Sequence, residues 1–216
     1  MSAGVATADD EPDLAGSAAC ESVVHIGDSL SVSADDPAVV GEDGRLSTLY
    51  RQAGPQEVSI DAANGRTVIE TDMASAGVDA LKAVIDTADC VVVALGTNDA
   101  SRIAAGSTLT ADQRIDEIMA VAGGKRVLWP TVKTTSSAAE SYKPEAMLAF
   151  TDALLRAVQR YGNLAVYRWD QAVGDELFTD DGIHLTDEGT KARNEGIATA
   201  LHEVELAATT SVEDAG

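Results

Sequence analysis

The chain has 216 residues, 45 % of them hydrophobic and only 4 % aromatic, enough for one domain with an aliphatic, closely packed core. Its 36 acidic residues against 15 basic give a formal charge of −21, which argues against nucleic acid and anionic lipid as partners. No apolar run reaches the ~18 residues of a membrane span, and residues 1–19 lack the basic start and apolar core of a signal peptide.

Residues 1–19 are small, polar and acidic and read as a flexible leader to a single domain over 20–206. Val23 to Ile26, apolar except for His25, predicts a first strand that runs directly into Gly27-Asp28-Ser29. Gly27 lets the backbone bend sharply there, so the Ser29 hydroxyl stands at the carboxyl edge of a sheet. Ser31 to Pro37 reads as a polar loop closed by the proline. Apolar residues at 46, 49, 50 and 53 predict a short helix, broken by Gly54-Pro55.

Val58 to Ala62 is a second strand, and Asn64-Gly65-Arg66-Thr67 a turn opening a helix to about Asp86 with a break near Gly77. Cys90 to Leu95 is an unbroken β-branched and aliphatic run, the pattern of a strand buried on both faces, and it leads into Gly96-Thr97-Asn98-Asp99. Leu109 to Ala122 is a helix stopped by Gly123-Gly124. Arg126 to Trp129 is a fourth strand, followed by an irregular Ser/Thr-rich stretch from Thr131 to Tyr142. Pro144 to Tyr161 is a helix with proline in its first turn, Leu164 to Trp169 a fifth strand, and Asp170 to Gly182 a loop. Thr186 caps a last helix that runs to about Leu206, and 207–216 read as a flexible tail.

This alternation is a βαβ series, which predicts a three-layer α/β/α domain around a five-stranded parallel flavodoxin-like sheet of order 2-1-3-4-5. In such sheets functional groups lie beyond the carboxyl ends of the strands. There the chain places Asp28-Ser29, Asn64-Gly65, Asn98-Asp99 and, before the last helix, Asp180-Asp181-Gly182-Ile183-His184. Those types suit acyl transfer. Ser29 is the candidate nucleophile, His184 the base and Asp181 the group that orients it; Asp180 competes for that role, and the three-residue offset favours Asp181. The N–H groups of Ser29 and Gly65 and the Asn98 amide are candidate oxyanion donors.

Four blocks carry a resemblance. Gly27-Asp28-Ser29-Leu30-Ser31, Gly65, Gly96-Thr97-Asn98-Asp99 and Asp181-Gly182-Ile183-His184-Leu185-Thr186 occur in the order seen in the SGNH/GDSL hydrolase family. The chain resembles in particular its envelope-associated actinobacterial members. The resemblance spans about Val23 to Thr190. It implies the roles above, hydrolysis or transfer of acyl groups, and no metal or organic cofactor. A small acyl ester, acetyl on a sugar or envelope glycan, is the substrate class it favours. A transferase with a sugar hydroxyl as acceptor and a non-catalytic binding module are the alternatives.

The remaining candidates are bounded by position. His25, on a strand, reads as a hydrogen-bonded core histidine, and His202 as part of a solvated helix face. Asp28, Trp129, Tyr142 and Thr131 are candidate substrate contacts, with loop anchoring for Asp28 and core packing for Trp129 as the alternatives. Cys20 and Cys90 precede adjacent strands at the amino-terminal edge, where a disulfide is geometrically reasonable; two buried thiols are the alternative. A bridge implies an extracytoplasmic setting, alone or within a longer envelope protein, and free thiols a cytoplasmic one.

Overall fold

Five strands, four of them short, largely apolar runs and one an alternating edge strand, pair in parallel. They are β1 (Ser22–Gly27), β2 (Glu57–Ala62), β3 (Cys90–Ala94), β4 (Arg126–Pro130) and β5 (Leu164–Tyr167). Their order is β2-β1-β3-β4-β5, as the βαβ alternation predicts. The structure is a computed structural model in which Val5–Ala6 and residues 20–213 are described, with side chains described over 20–204. Val5–Ala6 pairs antiparallel with the outer edge of β5, Val5 opposite Tyr167. The rest of the expected leader, and residues 214–216 of the expected tail, lie outside the described residues.

Successive residues of a strand point to opposite faces, and each face here meets its own core. Val24, Ile26, Val91, Val93, Val127, Trp129 and Val166 face one way. They are covered by α4 (Gly77–Val84), α6 (Ala111–Ala122) and α7 (Pro144–Val158), which supply Leu81, Ile115, Ile118, Phe150 and Leu154. Val23, Val92, Leu128 and Ala165 face the other way, against Leu46 and Tyr50 of α3 (Leu46–Ala53) and Ile197 and Leu201 of α9 (Asp187–Glu213). Every residue of β3 is buried, whereas the edge strand β2 is partly open. A disulfide joins Cys20 to Cys90 at the amino-terminal edge, with Cα atoms 5.6 Å apart. Among the described residues no helix is long and apolar enough to cross a membrane.

Several boundaries differ from the sequence reading, each for a local reason. Ser29–Val32 forms a single helical turn, α1, and Pro37 opens α2 (Pro37–Val40) instead of merely closing a loop. The helix expected from Thr67 begins only at Gly77. The Arg66 guanidinium binds the Asp61 and Ser75 carbonyls at 2.7 and 3.1 Å and folds the intervening chain into a loop. Gly77 opens α4 packed so closely that a Cβ there would stand 2.3 Å from Leu95, a place only glycine fits. The unanticipated α5 (Thr97–Ala104) follows β3 at once, its entry made by Gly96 at φ 132°. Helix α7 stops at Val158, before Tyr161, and the chain leaves the sheet at Tyr167, so that Trp169 opens α8 (Trp169–Ala172). Helix α9 continues to Glu213, past the expected end near 206, through a stretch with no glycine or proline to stop it.

Candidate active site

Ser29 is the first residue of α1. The Asp28 side chain caps that turn, its Oδ1 accepting the Leu30 N–H at 3.0 Å. Asp28 is 1 % exposed, and burial pushes its carboxyl above the usual range. It anchors the turn and does not face substrate, which corrects its assignment as a substrate contact.

His184 sits in a tight reversal between Thr179 and Thr186. The Thr179 N–H donates to the His184 carbonyl at 2.8 Å, Gly182 turns with φ 69°, and Phe178 bridges Leu185. Asp181 organises this turn. Its Oδ1 accepts the N–H groups of Ile183 and His184 at 2.8 and 2.9 Å and the Thr179 hydroxyl at 2.9 Å, and its Oδ2 lies 2.6 Å from His184 Nδ1. Burial alone would raise the Asp181 carboxyl, but these hydrogen bonds outweigh it and hold the group well below the usual carboxylate range.

An ionised Asp181 accepts a hydrogen bond from Nδ1–H and so fixes the tautomer whose Nε2 lone pair is free to accept. Nε2 is 3.1 Å from Ser29 Oγ. Residues 155 apart in sequence are thus joined in one hydrogen-bonded line, Ser29–His184–Asp181. The His184 side chain is 50 % exposed, so the line opens to solvent. Asp180 makes no such contact among the described residues.

The other two loops arrive at the same edge. Gly65 has φ 70° in the turn after β2, packed under Met73. Neither its N–H nor that of Ser29 is paired with an acceptor among the described residues. Asn98 is held at both ends of its amide: Nδ2 donates to the Arg66 carbonyl at 3.1 Å, and Oδ1 accepts the Tyr142 hydroxyl at 3.0 Å. One Nδ2 hydrogen remains. Tyr142 thus anchors Asn98, a contact its place in the Ser/Thr-rich loop did not announce.

Beneath these loops lies a network that sequence reasoning missed. Asp99, wholly buried, accepts the Val68 N–H at 2.9 Å and Arg114 at 2.8 Å. Arg114 also grips both oxygens of Glu70. The loop behind Gly65 is thereby clamped to α5 and α6. Burial pushes the Asp99 carboxyl up to about 6 despite Val68 and Arg114, while Arg114 pulls Glu70 well below its usual range. The only signal in the sequence was an arginine beside Ile115 and Ile118 on the apolar stripe of α6.

Two further expectations are corrected. Trp129 is 0 % exposed, donates its indole N–H to the Leu95 carbonyl at 2.8 Å and packs on Phe150, so it belongs to the core. Thr131 is 2 % exposed and exchanges hydrogen bonds with Asp170, at 2.5 Å to the carboxylate and 3.0 Å from its N–H, so it pins α8 and does not line the site. His25 is a buried, hydrogen-bonded histidine, as its strand position suggested, and the exposed His202 reaches the Ala53 carbonyl at 2.9 Å.

Residues 25–192 match the family model for GDSL-like lipases and acylhydrolases. No curated protein matches the chain. Its fold is similar to that of a lipase/acylhydrolase from Enterococcus faecalis, with 20 % identity, 85 % of this chain and 96 % of that one covered, and a TM-score of 0.64. Similar likeness extends to TesA (18 % identity, 85 % and 98 % covered, TM-score 0.59). It extends also to a psychrotrophic esterase, EstA, from Pseudoalteromonas sp., solved with monoethylphosphonate as inhibitor (14 % identity, 85 % and 98 % covered, TM-score 0.58). With a family model covering most of the chain and all four blocks of the resemblance inside it, the conclusion is that the chain belongs to the GDSL-like lipase/acylhydrolase family and is an ester-hydrolysing enzyme.

Proposed function

We propose that the chain hydrolyses carboxylic esters of small acyl groups through an acyl-enzyme on Ser29. The observation that carries this reading is the unbroken Ser29–His184–Asp181 line, with contacts of 3.1 and 2.6 Å. Ser29 Oγ attacks the carbonyl carbon while its proton passes to His184 Nε2. The negative charge that collects on the carbonyl oxygen is met by the Ser29 and Gly65 N–H groups and the free hydrogen of the Asn98 amide. The C–O bond to the alcohol then breaks, and His184 returns its proton to the departing oxygen. Water repeats the sequence on the acyl-serine: His184 takes its proton, the acid leaves, and Ser29 regains its hydrogen. Asp181 remains a carboxylate throughout and favours the imidazolium between the steps.

The openness around His184 supports a small acyl group on a large polar alcohol, such as acetyl on a sugar or envelope glycan, since a bulky alcohol needs unobstructed approach on the histidine side. The Cys20–Cys90 bridge supports an extracytoplasmic setting. Nitrophenyl esters of increasing chain length, run beside acetylated sugars, test the reading. The expected outcome is fastest turnover of the shortest acyl groups and release of acetate from the sugars. Preference for long-chain esters, or turnover untouched by Ser29→Ala, would refute it.

A further inference from the structure

Behind the Ser29 turn lies a buried polar cluster that no step above uses. It joins four elements: His25 of β1, Ser31 of α1, Tyr50 of α3 and Arg193 of α9, all buried. Arg193 Nη1 donates to Ser31 Oγ at 3.3 Å and to the Leu30 carbonyl at 3.5 Å. Ser31 Oγ lies 2.9 Å from His25 Nε2, and His25 Nδ1 lies 2.8 Å from the Tyr50 hydroxyl. Burial, with help from Arg193, lowers the His25 pKa to about 3, so the imidazole is neutral. Either tautomer of the neutral imidazole satisfies these contacts: Ser31 Oγ accepts from the guanidinium and either donates to Nε2 while Nδ1–H donates to Tyr50, or also accepts from Nε2–H while the Tyr50 hydroxyl donates to Nδ1. Gly27 completes the fit, because a Cβ there would stand 2.4 Å from the Ser31 Cβ and 3.1 Å from His25 Nε2.

Arg193 is the unusual member. Among the described residues no carboxylate lies within ion-pair distance of it, its Nε has no partner, and both acceptors it does reach are on α1. The charged or titratable groups that face it are Asp28, Tyr50 and Tyr167, with neutral His25 beyond Ser31. A buried guanidinium with no carboxylate in contact is a poor stabilising device, since an apolar side chain fills such space at less cost. Its placement has another use. Helix α1 is a single turn, too short to hold its shape alone. Helix α9, which carries Arg193, begins three residues after His184, and Thr186 ties the histidine's turn to it through a 3.0 Å contact with the Gly189 N–H. One helix therefore carries the histidine at its entrance and the grip on the serine's turn two helical turns later.

We propose that Arg193 is a positioning residue that sets the Ser29–His184 distance by holding α1 against α9. This rests on the reading of Ser29 as nucleophile, so the test separates the two. Rates are measured per site titrated with a serine-directed phosphonate, on nitrophenyl acetate, for wild type, Arg193→Met, Arg193→Lys, Ser31→Ala and the Arg193→Met/Ser31→Ala double variant. Displacing the serine by about 1 Å is worth roughly 10²-fold in rate, so Arg193→Met should lower kcat by about 10- to 100-fold with KM within about twofold. Phosphonate labelling of Ser29 should slow by the same factor, Arg193→Lys should recover part of the loss, and the double variant should be no worse than Arg193→Met. Should Arg193→Met fail to fold, Ser31→Ala alone must show a kcat loss of about threefold or more with KM unchanged. Wild-type kcat per titrated site in Arg193→Met, or a loss confined to KM, would overturn the positioning role while leaving Ser29 in place. Wild-type protein that is not labelled at Ser29 would overturn both.

Discussion

Gly65→Ala is the substitution whose consequences can be worked furthest from geometry. Gly65 lies at φ 70°, where an L side chain costs roughly 1–2 kcal/mol. The new Cβ would also stand 2.9 Å from Met73 Sδ and 3.0 Å from Met73 Cβ. The sulfur can swing aside, because Met73 is exposed, but the Cβ moves only with its backbone. That backbone is fixed downstream, where the Ser75 carbonyl accepts Arg66 at 3.1 Å, and upstream the Asp72 side chain pairs with Arg102 at 2.5 Å. The Gly65 turn therefore has to yield, and its N–H moves away from the developing oxyanion. A lost donor of this kind costs about 10²–10³ in kcat. Gly41 provides a matched control: φ is 73° and nothing lies within 4 Å of its would-be Cβ. Gly41→Ala should lose about the same 1–2 kcal/mol in urea unfolding and keep its kcat, whereas Gly65→Ala should lose both. Gly65→Ala with kcat within twofold of wild type, or an equal loss in Gly41→Ala, would refute the reasoning.

Other perturbations probe separate parts of the account. Arg114→Met leaves Asp99 buried without its cation and should cost about 3–5 kcal/mol at pH 7. The sign with pH follows from both carboxyls. Asp99 is raised, so its contribution declines as pH climbs through about 6; Glu70 is depressed by Arg114, so its contribution is lost as pH falls below the usual carboxylate range. Removing Arg114 worsens the first and abolishes the second, so the stability gap to wild type should narrow from pH 7 to pH 4, and an unchanging gap would contradict the network. Asp181→Asn keeps the shape of the turn but favours the wrong imidazole tautomer, and should lower kcat by on the order of 10⁴ with little change in KM. The Cys20→Ala/Cys90→Ala double variant opens a loop of 70 residues, worth about 4 kcal/mol in the chain-entropy model. Its melting temperature should fall while kcat at 25 °C holds, because the bridge lies at the far edge of the sheet from Ser29; two free thiols in unreduced wild type would show the bridge does not form.

What the sequence revealed and what it hid divide along the range of the interactions involved. The strands were legible because apolar runs and terminal glycines are local signals, and Asp181 with His184 because the contact between them spans one turn. Ser29 was legible from the abruptness with which its strand ends. Where distant residues decide, the local signal misled. The stretch from Thr67 to Ala76 has helical spacing, yet Arg66, Asp99 and Arg114 claim its polar groups at Ser75, Val68 and Glu70 and make it a loop. Trp129 stands at the end of a strand, the place where site residues gather, but on the face that points into the core. Arg193 is the extreme case: nothing in the α9 sequence distinguishes a guanidinium that reaches across 162 residues to Ser31 from one that faces water.

The central claim is that His184 activates Ser29, and the most direct measurement is the rate and site of covalent labelling by a serine-directed phosphonate, read by intact mass and peptide mapping. The account predicts one adduct per chain, on Ser29, formed at least about 10³-fold more slowly in His184→Gln. An adduct on another residue, or equal labelling rates in the two proteins, would contradict it.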